Sequence, residues 1–333
     1  MASLRSLWIL GVILGTAPAG AAPEVLVSTQ TTWFGMCDAS AAVALDTNFF
    51  AVANDEDNAL RIFQLDRPGL PVQSVDLSRF LGVDPKKPET DLEGAAWLGD
   101  TIFWIGSHGQ NRTGKYRTSR HRLFATRVEK ARGGVRVVPV GAPYSDLLFD
   151  LLREPRLRPF KLETTLGLPP KAPGALNIEG LCSTPATNLL IGFRNPIPRG
   201  RALIVPVLNP FELIRGRPAR LGDPILLDLA GRGIRDLAFW RGRYVIIAGS
   251  FDGSSRSRLY LWDGGQSPPE RMEGPQFKGI NPEAVVVYPE PADGFQLLSD
   301  DGTLLINGVC CKDLPNRAQK RFRSLWLWPQ KPE

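Results

Sequence analysis

The sequence contains only two histidines, His108 and His121, separated by a polar loop. It has no Cys-x-x-Cys and no His-Glu-x-x-His, which leaves nothing with the ligand spacing of a zinc or soft-metal site. A Gly-x-Ser-x-Gly nucleophile elbow and a glycine-rich phosphate loop with its lysine are also missing, so hydrolase and P-loop nucleotide chemistry of those kinds are excluded. After the first 22 residues no apolar run approaches the roughly 20 residues that a membrane span needs. The basic residues, which bring the formal charge to +6, are accompanied by no recognition helix, zinc-finger spacing or single-strand-binding motif. Nucleic acid is therefore not the expected partner. The runs Arg112 to Arg132 and Arg317 to Arg323 instead suit attraction of anions.

The first 22 residues differ from the rest. Arg5 precedes the apolar stretch Leu7 to Leu14, Thr16-Ala17-Pro18 interrupts it, and Ala19-Gly20-Ala21 follows. This is the pattern of a secretory signal peptide cleaved near Ala21 or Ala22, and it predicts a mature chain in the periplasm or outside the cell. Export permits disulfides. Cys37, Cys182, Cys310 and Cys311 allow three complete pairings. The adjacent pair Cys310-Cys311 suits two different partners better than a bond with itself, and a link from Cys37 to either would tie the start of the fold to its end.

Glycine (33) and proline (29) are abundant without a collagen-like period, which reads as many turns between short strands. Five segments can be superposed, each with an acid, an apolar run, a turn, a second apolar run, a polar loop and a third strand. They open at Asp38, Glu93, Glu179, Asp236 and Glu283. Three of the four intervals lie near the ~40–50 residues of a common propeller blade with its loops. The interval from Glu93 to Glu179 is much longer, and it contains a helix-like phrase at Asp146-Leu-Leu-Phe-Asp-Leu-Leu. Units with two apolar faces cannot stand alone, and radial stacking buries both. The expected fold is therefore all-β, a five-bladed β-propeller forming a single domain over 23–333, with an insertion around 142–176. A sixth blade hidden in that insertion and a β-sandwich of similar hairpins are the alternatives. Val25-Leu-Val-Ser-Thr is expected to add an outer strand to the last blade and close the ring. A monomer is expected.

In such a ring the opening acids face one mouth of the central channel. Crowded carboxylates there need protons, basic partners or a cation, and calcium, which takes six to eight oxygen ligands, is the expected cofactor for Glu93, Glu179, Glu283, Asp38 and Asp236. A purely structural role, with each acid accepting backbone N–H bonds from the next blade, is the competing reading, and direct catalysis is a third. The loop from Trp104 to Leu123 carries His108, a candidate proton carrier, and Arg112, a candidate phosphate ligand. Arg194 and Asn195 occupy the matching loop of the third unit. Together these residues suit metal-assisted hydrolysis of a phosphoester or related anionic substrate. The alternative is a non-enzymatic propeller that binds a small anionic molecule or an exported protein.

Thr90-Asp-Leu-Glu-Gly-Ala-Ala-Trp, Trp104-Ile-Gly-Ser-His-Gly-Gln-Asn-Arg, Ser119-Arg-His-Arg-Leu-Phe-Ala, Asn177-Ile-Glu-Gly-Leu and Asn281-Pro-Glu-Ala resemble a bacterial family of exported proteins carrying the domain DUF3616. That resemblance covers most of the chain and implies a propeller in a bacterial exported setting; it implies no reaction. A looser likeness to five-bladed calcium-dependent nucleotidases and phytase-like propellers implies calcium near the axis, with Glu93, Glu179 and Glu283 as its foremost ligands. The loops between these acids do not match.

Overall fold

A computed structural model describes residues 25–131, 134–272, 277, 279–289 and 293–329. The signal peptide read from the sequence lies outside the described residues. The chain forms a five-bladed β-propeller of antiparallel sheets, four-stranded in blades one to four and five-stranded in blade five. Blade one runs outward through Ala41–Ala44, Phe49–Ala53, Ala59–Gln64 and Gln73–Asp76. Blade two uses Leu92–Leu98, Thr101–Gly106, Leu123–Ala131 and Gly134–Tyr144. Blade three uses Asn177–Ser183, Leu189–Asn195, Ala202–Val207 and Ile225–Leu227, and blade four Gly233–Trp240, Arg243–Gly249, Arg258–Trp262 and Glu270–Arg271.

Blade five is assembled from both ends of the chain. Its first three strands are Pro282–Val286, Phe295–Ser299 and Arg321–Pro329, and its outer strand is Val25–Val27, paired antiparallel so that Val25 faces Pro329. A second early strand, Thr31–Phe34, pairs with the other end of Arg321–Pro329. Buried bonds fasten this seam: Trp33 Nε1 and Gln296 Nε2 both donate to Ser324 Oγ, at 2.9 and 2.8 Å. The disulfide joins Cys37 to Cys311, 274 residues apart. Of the two pairings expected to link start to end, the one through Cys311 is formed. Cys182 and Cys310 remain thiols.

Strand alternation explains the core. Successive side chains point to opposite faces, so one strand serves two blade interfaces. Ala51 and Ala53 pack toward blade two, while Phe50 and Val52 pack toward blade five. Phe103 and Ile105 face blade three, and Ile102 and Trp104 face blade one. The result is a separate apolar core at each of the five blade junctions.

The long interval in blade two holds no hidden blade. It folds as helix Leu147–Arg153 and two 3-10 turns, Pro155–Phe160 and Leu162–Thr165. Leu147, Leu148 and Leu151 form its buried stripe against the junction of blades two and three. From there the chain passes over the channel mouth at Pro170 and Lys171.

Candidate functional site: a charged cavity on the propeller axis

Four of the five inner strands carry a β-bulge near their start. Pairing with the second strand skips Glu93, Glu179, Arg235 and Glu283 in turn. A bulged residue leaves the ladder and its side chain is re-aimed; all four line the channel, with Ser40 from blade one. The glycine after Glu93 and Glu179 follows from the same geometry. A Cβ on Gly94 would lie 2.9 Å from Leu181 Cβ, and one on Gly180 would lie 2.5 Å from Leu237 Cδ2, in each case on the next blade. The Glu-Gly phrase thus combines an axial carboxylate with close packing of inner strands.

This alters the ring expected from sequence. The axial positions read Ser40, Glu93, Glu179, Arg235 and Glu283 rather than five acids. Asp236 faces away from the channel: it is buried, and its carboxylate accepts the N–H of Leu237 at 2.8 Å and that of Val285, on blade five, at 2.7 Å. It forms the inter-blade clasp that was the structural alternative. Asp38 lies two residues before Ser40, buried behind the cavity wall, with its carboxyl hydrogen-bonded to that of Asp300. For Asp236 the physical reason is the bulge at Arg235, which shifts the axial position by one residue; blade one has no bulge, and Asp38 lies ahead of its inner strand in an isolated bridge to Asp300.

The cavity has a volume of about 450 Å³ and is lined from all five blades and the insertion. Six carboxyls (Asp55, Asp91, Glu93, Glu179, Glu283 and Asp300) meet four cations: Arg120, Lys171, Arg194 and Arg235. Arg194 Nη1 donates to Glu179 Oε1 at 2.5 Å, and its Nε to the Ser250 carbonyl at 3.1 Å. Arg235 bridges Glu283 and Glu179. Asn177 donates to Glu179 Oε1 at 2.8 Å. Arg120 joins Asp91, at 2.8 Å, to Glu89.

Among the described residues Asp55, Glu93 and Asp300 have no ion-pair partner. The electrostatics show the strain this creates. Desolvation, then repulsion from Glu179 and Asp91, pushes Glu93 well above the usual carboxylate range. Burial and the neighbouring Asp91 push Asp55 up to about 7, and burial raises Asp91 to about 6 against the pull of Arg120. Asp38 is pushed up to about 10 by burial and by its hydrogen bond to Asp300. Asp300 is held below the usual range: burial opposes ionisation there, but the bonds from Asp38 and from the Gly302 N–H, at 2.9 Å, prevail. Asp38 thus holds the proton and Asp300 the charge. Asp38 Oδ2 and Asp55 Oδ1 are buried without a hydrogen-bond partner.

The four residues expected to act beside the acids are dispersed. Arg194 lines the cavity. Asn195 sits behind it, its Nδ2 donating to the carbonyls of Pro170 and Ala172 at 3.1 and 2.8 Å, so that it braces the insertion over the mouth. His108 is fully buried behind the wall with φ +53°, a left-handed backbone; its Nδ1 lies 2.8 Å from the Gly106 carbonyl, and its Nε2 has no partner. Burial pushes it down to about 4. Arg112 is exposed on the outer rim, in a second cavity beside the first. Asp55, Asp91, Lys171 and Arg235 are the charged cavity residues that sequence reasoning did not single out. A signal existed for two of them: Asp91 stands two residues before Glu93, and Arg235 follows Ile234 as Glu93 follows Leu92 and Glu179 follows Ile178.

The fold and its axial cavity define a five-bladed propeller with a polar, charged mouth. A family model described as "Protein of unknown function (DUF3616)" matches residues 38–142 and 136–294, and the chain belongs to that family. No curated protein matches the sequence. Among solved structures, a candidate oxidoreductase (glucose dehydrogenase) from Thermus thermophilus is similar at 14% identity and TM-score 0.47, covering 91% of this chain and 100% of that one. Virginiamycin B lyase from Staphylococcus aureus is similar at 7% identity and TM-score 0.37, covering 91% and 99%. A Trypanosoma rangeli sialidase mutant gives 11% identity and TM-score 0.38, covering 82% and 44%.

Proposed function

We propose that the protein is a solute-binding propeller whose axial cavity takes a small cationic ligand. The observation that carries this reading is the surplus of carboxyls over cations around one cavity of about 450 Å³. The arginines there are already committed to Glu179, Glu283, Glu89 and Asp91, and among the described residues Asp55, Glu93 and Asp300 have no ion-pair partner. An incoming cation would supply that pairing, and the partnerless Oδ1 of Asp55, in the cavity lining, fits an ion that prefers oxygen ligands. Calcium is one such ion, and Asp55, Glu93 and Asp300 are the residues that would hold it. Among the described residues no three side chains form a ready-made metal cage, so binding would draw these carboxyls together. An organic amine satisfies the same charge without that rearrangement.

Because Asp55 and Glu93 are held toward the protonated form, a cation must displace protons as it binds. Calorimetric titration with calcium chloride and with putrescine, in buffers of different ionisation enthalpy at pH 7, should reveal about one proton released per ligand for at least one of them. Glu93→Gln should weaken that binding about tenfold or more. No saturable heat from either ligand, or equal affinity in Glu93→Gln, would rule the reading out.

A second reading, hydrolysis of a phosphoester, is supported by Asp55 and Asp91. At about 7 and 6 they titrate where general acid–base groups work best. Export of the protein to an oxidising compartment is supported by the Cys37–Cys311 disulfide.

A further inference from the structure

Beside the axial cavity, on the far side of Arg120, lies a second cavity of about 360 Å³. One wall is the segment joining blades one and two, with Lys86, Lys87 and Glu89. The other is the long loop of blade two, with Asn111, Arg112, Arg117 and Ser119. The only acid in its lining among the described residues, Glu89, is taken by Arg120. Lys86, Lys87, Arg112 and Arg117 have no carboxylate partner among the described residues. Asn111 is oriented by its own loop: its Oδ1 accepts from Thr113 N, Thr113 Oγ1 and Lys115 N at 3.0, 2.9 and 2.8 Å. With its carbonyl end so engaged, the amide that remains is a donor. The buried Ser119 lies in the same lining.

We infer that this cavity is an oxyanion site for a small ligand bearing a phosphate or sulfate group. The donor set is one-sided: two lysines, two arginines and an amide converge on one concavity, with no free carboxylate to compete. Arginine presents a planar fork suited to such oxygens, and lysine adds point charge. The enclosed shape, bounded by two short segments rather than laid out as a stripe, suits a compact anion and not an extended polyanion. The inference is independent of the cationic ligand proposed for the axial cavity, since the two cavities share only Arg120.

The test uses the mature chain with pyrophosphate, inorganic phosphate and sulfate, titrated by calorimetry at 150 mM sodium chloride. Pyrophosphate should bind saturably at one site, with sulfate competing. Arg112→Ala with Arg117→Ala should weaken it about tenfold or more, while Arg217→Ala, an exposed arginine elsewhere, should change it less than about twofold. Circular dichroism melting shows whether the double variant is folded; if it is not, Lys86→Gln with Lys87→Gln takes its place with the same expectation. Equal affinity in wild type and variants would overturn the proposal. So would non-saturating binding that disappears at 150 mM salt, or a DNA duplex that binds more tightly than pyrophosphate through the same arginines.

Discussion

His121→Phe is expected to stabilise the protein, and to do so more at acid pH than at neutral pH. His121 is 1% exposed and neither ring nitrogen has a hydrogen-bond partner. Its ring is stacked on Tyr116 at 4.4 Å between centroids and meets His108 edge-on at 5.4 Å. A phenyl ring fits this aromatic sandwich and removes buried polar atoms whose lack of partners costs about 1–3 kcal/mol. Burial, with repulsion from His108 and Arg122, pushes the imidazole down to about 3, from 6.5 in an unfolded chain. The folded pKa lies below the unfolded one, so the unfolded state takes up the proton first. The stability of the neutral ring is complete above pH 6.5 and declines as pH falls toward 3. Between pH 7.5 and pH 5 the loss is about 2 kcal/mol. The variant should therefore exceed wild type by about 1 kcal/mol at pH 7.5 and by about 3 kcal/mol at pH 5. Asp55 and Asp91 titrate in the same window with the opposite sign, but they are common to both proteins and cancel in the difference. Urea denaturation at the two pH values measures it. A gap that does not widen on acidification, or a His121 imidazole resonance titrating near 6.5 in the folded protein, would refute the reasoning.

Two further expectations follow from the ring itself. Replacing Cys37 and Cys311 together by serine frees a loop of 274 residues and should lower stability by about 2–5 kcal/mol in guanidinium denaturation, as should reductant on the wild type. Asp38→Asn should leave the bond to Asp300 in place, because an amide donates as the protonated acid does. The folded pKa of Asp38, about 10, lies above the unfolded 3.8, so wild-type stability drains as pH rises between them. The variant's advantage should grow by about 1 kcal/mol per pH unit from pH 5 to 9 in chemical denaturation, and a constant difference would contradict the shared proton.

Much of this architecture was readable in the chain. Continuous apolar runs such as Phe49–Ala53 and Thr101–Gly106 became the second strands of blades one and two, and the early Val25-Leu-Val became the closing strand. The helix-like phrase after Asp146 is helix Leu147–Arg153. The axial residues were harder because a bulge inserts one unpaired residue without any mark in composition. Aligning on acids selected Asp38 and Asp236, whereas strand pairing aligns Ser40 and Arg235 with the three axial glutamates. The aliphatic residue preceding three of the four bulges, Leu92, Ile178 or Ile234, is the better anchor, since it is fixed by the buried face. Asp55 and Asp300 lie at the ends of second strands, and their approach to Asp91 and Asp38 depends on how the blades are set around the axis. That arrangement is a property of the closed ring and is not written in any one segment.

The seam in blade five has a consequence for the order of events. Blades one to four are each contiguous in sequence, so they can assemble as the chain lengthens. Blade five cannot: Ser28 must wait for Trp326, 298 residues later, to exchange hydrogen bonds. The first strand to emerge is thus the last to find its place. Contacts of such separation form slowly, and until they do Arg321–Pro329 presents an open strand edge, the feature most prone to pair with a neighbouring molecule. Closure of the ring by Val25–Val27 is the step that covers this edge.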